Sequence, residues 1–121
     1  MTPQAIADHY LAVWNAAEPE LRDRLLAQAW NLQARYVDPM MRGEGHDGIS
    51  TMIAQARSQF PGYGFVLSGT PDGHGDFVRF SWTLGIGDNP PAAHGTDIVR
   101  LDSHGKIVEV IGFLDAPAGA A

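Results

Sequence analysis

Two aspartates and a tyrosine stand out in this sequence, because carboxyls and phenols exchange protons and these three sit in patterned surroundings. Asp97 lies in Thr96-Asp97-Ile98-Val99-Arg100-Leu101, where a period of two puts it on one strand face with Val99 and Leu101. A carboxylate on an apolar face has to be paired, protonated or set at the mouth of a cavity. The plainer reading is a strand-end aspartate in solvent. Asp38 follows Ala34-Arg35-Tyr36-Val37 and precedes Pro39, which restricts the backbone there. Its plainer reading is a turn aspartate bonded to nearby backbone N–H groups. Tyr10 falls on the inner stripe of the first helix, where a core tyrosine with its hydroxyl satisfied is the competing reading.

Other motifs carry less. Gly43-Glu44-Gly45-His46-Asp47-Gly48 has the glycine spacing of a dinucleotide loop. Such a loop needs a strand immediately before it and a parallel βαβ unit around it, and two acids beside a pyrophosphate would repel it. His9, His46, His74, His94 and His104 show no metal-ligand spacing, so no metal is expected. No serine sits in a nucleophile elbow. The absence of cysteine excludes thiol catalysis, disulfides and zinc-thiolate sites.

The elements that must position these residues follow from periodicity. Thr2-Pro3 starts a helix, with Ile6, Tyr10, Trp14 and Ala7, Leu11 on one apolar face. Glu18-Pro19 starts a second, with Leu21, Leu25 and Ala29 as its buried stripe. A short extended piece, Gln33 to Val37, leads through a loop from Pro39 to Gly45 into a third helix. Asp47 is its candidate cap, and Ile49, Met52, Ile53, Ala56 and Phe60 face inward.

From Tyr63 the period becomes two. Strands are expected over Tyr63 to Thr70, Asp76 to Ile86, Ala93 to Asp102 and Lys106 to Asp115, with turns at Pro71 to Gly75 and Ser103 to Gly105. The tail from Ala116 to Ala121 is expected to fray. Helices followed by a four-strand antiparallel meander indicate an α+β fold. The last strand reads as apolar on both faces, with Ile107, Ile111 and Phe113 on one and Val108, Val110 and Leu114 on the other. Three helices cover one face of the sheet; the other is expected to meet a second copy in a homodimer.

With 121 residues and 13.0 kDa the chain makes one domain, 1–121. A net charge of −6 with scattered Lys and Arg argues against nucleic acid. No apolar run approaches the roughly 20 residues that span a bilayer, and the start lacks the pattern of a signal peptide. A cytoplasmic location without membrane contact is the expectation.

Tyr36-Val37-Asp38-Pro39, Gly45-His46-Asp47-Gly48-Ile49 and Gly95-Thr96-Asp97-Ile98-Val99-Arg100-Leu101-Asp102-Ser103-His104-Gly105-Lys106-Ile107 together resemble the nuclear-transport-factor-2-like superfamily, in its SnoaL-like branch. The resemblance implies a cone: a curved antiparallel sheet with three N-terminal helices enclosing an apolar pocket, commonly dimeric through the outer face of the sheet. Isomerases, cyclases, dehydratases, epoxide hydrolases and non-catalytic binding modules share that fold, so fold alone does not choose among them.

Residue by residue, Asp38 falls where ketosteroid isomerases keep their general base, Tyr10 where they keep an oxyanion-binding tyrosine, and Asp97 where they keep a protonated acid. The resemblance therefore implies a cofactor-independent isomerase or cyclase in which Asp38 moves a proton α to a carbonyl. Tyr10 and neutral Asp97 would hold the oxygen. Trp14, Val78, Phe80, Trp82, Val99 and Phe113 are the candidate walls of a pocket for a hydrophobic small molecule. A non-catalytic ligand-binding or dimerisation module is the alternative. Where ketosteroid isomerases carry supporting tyrosines this chain has Trp30 and Ile53. His94 is the candidate partner for cyclase chemistry, and Gly95 stands where the epoxide hydrolases carry arginine.

Overall fold

The computed structural model describes residues 1–115; the expected fraying of Ala116 to Ala121 lies outside them. Helix α1, Pro3–Asn15, begins where the sequence places it: the Thr2 side chain accepts the Ala5 N–H, and Pro3 occupies the first turn. Helix α2, Pro19–Ala29, and α3, Gly45–Gln59, follow. Glu44 occupies the N-cap position of α3 without a side-chain capping bond, and Asp47 lies within the first turn rather than at the cap.

Six strands form one open, curved, mixed sheet in the order β2-β1-β6-β5-β4-β3. They are β1 Trp30–Val37, β2 Arg42–Glu44, β3 Gly64–His74, β4 Phe77–Gly85, β5 Ala93–Leu101 and β6 Ile107–Leu114. The expected four-strand meander is present as β3 to β6. Two additions enlarge it. The extended piece before Asp38 is a full strand that pairs parallel to β6, and the loop after it contributes β2. The pairing with β6 has no local signature, since a partner some seventy residues away leaves no trace in a short window.

The core lies between the helices and the inner face of the sheet. Val78, Phe80, Trp82 and Leu84 alternate inward along β4, as do Gly95, Asp97 and Val99 along β5. On α2 the buried positions are Arg22, Leu26 and Ala29. Leu21 is exposed and Leu25 half-buried, so the helix is rotated by one residue from the expected stripe.

Strand β6 departs from strict alternation. Arg100 pairs with Glu109 but Leu101 with Ile107, so Val108 is an extra residue on β6. Beyond it the faces exchange: Ile107, Val110 and Gly112 point inward, while Ile111 and Phe113 point outward and are exposed. Strand β1 bulges between Trp30 and Arg35, leaving Leu32 exposed. His46 of α3 ties the bulge down, its Nε2 lying 3.1 Å from the Trp30 carbonyl and 3.2 Å from that of Asn31.

Candidate functional site

Between α1, α3 and the inner face of the sheet lies a cavity of about 180 Å³. Tyr10, Asp38 and Asp97 all line it, each from a different element: α1, the end of β1 and the middle of β5. Helical periodicity turns Tyr10 inward with Ile6 and Trp14, and strand parity turns Asp97 inward with Val99.

Asp97 is 1% exposed, and its Oδ2 accepts a 2.5 Å hydrogen bond from the Tyr10 hydroxyl. Its Oδ1 is buried without a hydrogen-bond partner among the described residues. Burial pushes the Asp97 carboxyl up to about 6; Tyr10 and Trp82 draw it down, and the nearby charges of Asp38 and Asp115 add to the rise. Burial and the Asp97 charge likewise hold the Tyr10 phenol well above its ordinary value.

Asp38 is held differently. Its Oδ1 accepts the backbone N–H groups of Met40 and Met41, at 2.8 and 2.9 Å, and its Oδ2 accepts the Tyr36 hydroxyl at 2.6 Å. The turn bonds expected of such an aspartate are present, and the residue also lines the cavity. Tyr36 also lines the cavity, and burial raises its phenol, with the charges of Asp97 and Asp38 adding. Sequence reasoning did not select it, yet its parity with Asp38, the residue that follows β1, was the available signal.

Two glycines admit these groups. Gly112 sits opposite Asp97 across the β5–β6 ladder. A Cβ there would lie 3.0 Å from Asp97 Oδ1, 3.1 Å from Asp38 Cβ and 3.3 Å from the Tyr36 hydroxyl. Gly95 faces Trp82 across the β4–β5 ladder, and a Cβ on it would stand 2.1 Å from the indole ring. Bare backbone at these positions makes room for side chains that two alanines would displace.

Trp14 and Trp82 line the cavity; Phe65 packs edge-on against both at 5.2 Å between centroids. Val78, Phe80 and Val99 are buried in the core and do not line it, although Phe80 stacks edge-on against the Tyr10 ring. Phe113 is a correction: the bulge at Val108 puts it on the outer face of the sheet, 50% exposed. Trp30 stacks on Tyr10 at 5.9 Å, and Ile53 is wholly buried. His94 alternates with Asp97 on β5, does not line the cavity and has its carbonyl bonded to the Asp115 N–H. Among the described residues no three acids or histidines cluster so as to hold a metal ion.

The arrangement can do acid–base chemistry. Asp38 offers a carboxylate beside an apolar space. The Tyr10–Asp97 pair offers a hydroxyl proton to an oxygen there once Asp97 is neutral, because a protonated Asp97 donates to Tyr10 and frees the phenolic O–H.

Comparison with known proteins bears on the fold. The model of the SnoaL-like domain matches residues 7–110. A structure from Agrobacterium tumefaciens, provisionally named an isomerase of the SnoaL-like family, is 55% identical. It has a TM-score of 0.90 and covers 93% of this chain and 97% of its own. An NTF2-like protein of unknown function from Exiguobacterium sp. 255-15 is 21% identical with a TM-score of 0.71, covering 92% of this chain and 98% of its own. A protein from Jannaschia sp. CCS1, provisionally named a SnoaL-like polyketide cyclase, is 15% identical with a TM-score of 0.68, covering 90% and 84%. The last two show the fold alone. No curated protein matches the chain.

Proposed function

The chain belongs to the SnoaL-like family, and on that premise we propose that it is a cofactor-independent proton-transfer enzyme, an isomerase or cyclase, acting on a hydrophobic carbonyl compound. One observation carries this reading: Tyr10, Asp38 and Asp97 meet in a single apolar cavity, with Asp97 buried rather than in solvent. A binding module has no need of a carboxyl buried in the wall of an apolar cavity, an arrangement that costs stability.

In this reading Asp38 removes a proton from the carbon α to the carbonyl, and the pair of electrons moves toward the carbonyl oxygen. Tyr10, backed by neutral Asp97, donates to that oxygen as it becomes an enolate. Asp38 then returns the proton to a different carbon, so the base is regenerated and no co-reactant is consumed. The Met40 and Met41 amides and Tyr36 fix the carboxylate during the transfer, which limits the reorganisation each step requires.

The test follows ultraviolet absorbance as a β,γ-unsaturated cyclic ketone becomes its conjugated isomer. Wild type should exceed buffer, and Asp38→Asn should lose about 10²–10⁴-fold while keeping its melting temperature. A folded wild-type protein with no rate above buffer on cyclic and acyclic enones would leave the binding-module reading in possession.

We also propose a homodimer through the outer face of the sheet. Val37 and Ile111 are neighbours across β1 and β6, Phe113 lies one step further along β6, and Val66 stands on the same face of β3; all four are exposed. Sedimentation should give twice the mass of the 13.0 kDa chain, and Ile111→Glu with Phe113→Glu should give the monomer.

A further inference from the structure

The cavity has a polar inner end and one cation. Tyr10, Tyr36, Asp38 and Asp97 form the inner end, and Arg57, from the last turn of α3, is the single basic side chain in the lining. A guanidinium has five N–H donors. The Arg57 side chain commits Nη1 to the Trp14 carbonyl at 3.0 Å, and no carboxylate among the described residues bridges it. It is half-buried, so water does not freely replace a missing partner.

A second arginine stands behind it. Arg22 of α2 is 1% exposed, with Nε and Nη1 unpartnered among the described residues. Burial and the repulsion of Arg57 lower its proton affinity, and only Asp23 opposes them. Two guanidinium groups thus share one corner of the helical layer with no carboxylate bridging either among the described residues, leaving a positive potential at that side of the cavity.

Size narrows the occupant. A cavity of about 150 Å³ accommodates benzene, whereas drug-sized ligands fill about 300–1,000 Å³. At about 180 Å³ this one holds a single ring or a chain of similar bulk.

We propose that the substrate is a single-ring or comparably short carbonyl compound carrying a carboxylate, which Arg57 binds while the carbonyl oxygen meets Tyr10 at the inner end. The inference rests on the proton-transfer reading of the same cavity. Charge sets the direction of binding. The Asp38 carboxylate repels a second carboxylate from the inner end, and Arg57 attracts it to the other, so the carbonyl is delivered to the groups that act on it. Arg57 is in this sense a specificity residue, placed away from the reacting atoms.

Phenols provide the probe, because a phenolate is a planar oxyanion like the enolate. Calorimetric titration would compare phenol with 3- and 4-hydroxybenzoate and with the matching hydroxybenzamides, which keep the shape and lose the charge. Wild type should bind at least one acid about tenfold or more tightly than its amide. Arg57→Gln should erase that preference while leaving phenol affinity within about twofold, and Arg57→Lys should keep part of it. A merely structural Arg57, capping the end of α1, would shift phenol and the acids together. Equal binding of acid and amide, with phenol bound, overturns the inference and leaves the proton-transfer reading standing. A preference that survives Arg57→Gln overturns it also. Failure of wild type to bind phenol removes the oxyanion end itself, and the inference falls with it.

Discussion

Gly112 stands directly across the β5–β6 ladder from Asp97, and its missing Cβ is what lets the Asp97 carboxyl, Asp38 and the Tyr36 hydroxyl crowd around one point. An alanine there would meet all three at 3.0 to 3.3 Å. Its backbone is not in the left-handed region, so the new methyl group presses on the site without straining the chain. Gly112→Ala should therefore fold, with a melting temperature near that of wild type, yet lose proton-transfer rate by about 10²-fold through displaced groups. Equal activity in the two proteins would show that this crowding has no bearing on the chemistry.

Asp97 links stability to pH. Its folded value of about 6 stands above the 3.8 of an unperturbed aspartate, so between those values the folded protein holds more protons than the unfolded chain. Stability then falls as pH rises from about 4 to about 6, and the full cost persists above that range. The magnitude is on the order of 3 kcal/mol. Asp97→Asn has no such ionisation. Urea unfolding should find the variant gaining on wild type between pH 4 and pH 8, whereas a constant difference would show that Asp97 does not ionise at a cost.

Catalysis should show the same group from the other side. Only protonated Asp97 donates to Tyr10, so kcat/KM for enone isomerisation should fall about tenfold per pH unit above about pH 6. Asp97→Asn keeps a donor that does not titrate, and its profile should lose that limb. A wild-type profile flat from pH 5 to 8 would mean that the proton on Asp97 plays no part.

Gly95 and Trp82 make a pair in which one residue's absence of side chain is the other's place. A Cβ at Gly95 would stand 2.1 Å from the indole, and the ring has no way to yield except by leaving the cavity wall. Gly95→Ala should destabilise by about 1–3 kcal/mol, as overpacking does, and alter tryptophan emission. Replacing the indole as well, in Gly95→Ala with Trp82→Leu, should restore much of the stability. A second variant no more stable than the first would locate the strain elsewhere.

Much of this arrangement was legible in the residues. The inward parity of Asp97 with Val99, the inner stripe that carries Tyr10 and Trp14, and the helix-then-strand order all follow from local periods of 3.6 and two. Phe113 was misplaced because one extra residue at Val108 exchanges the faces of everything after it, and period-two reasoning has no means of seeing a bulge. Arg22 has no place in the expected stripe of Leu21, Leu25 and Ala29, because a charged residue on a helix is ordinarily solvated; a rotation of one position buries it. Gly112 carried a readable sign, a lone glycine among Ile111, Phe113 and Leu114, of the kind that marks a close approach. Tyr36 shares a face with Asp38 by the period of two, and that parity is its only sign in the residues.

The parallel pairing of β1 with β6 has a consequence for the order of events on the ribosome. Tyr36 and Val110 are direct partners in that ladder, so the strand bearing Tyr36 pairs early with β2 but waits for nearly the whole chain before it has its second neighbour. The helices and the β3–β4 hairpin close over short separations and can assemble first. The closure that brings Asp38 beside Asp97 needs a pairing over some seventy residues, the kind of long-range contact that forms slowly and is exposed to misassembly. A nascent chain halted after β5 would carry all three of Tyr10, Asp38 and Asp97, with no strand to bring the second beside the third.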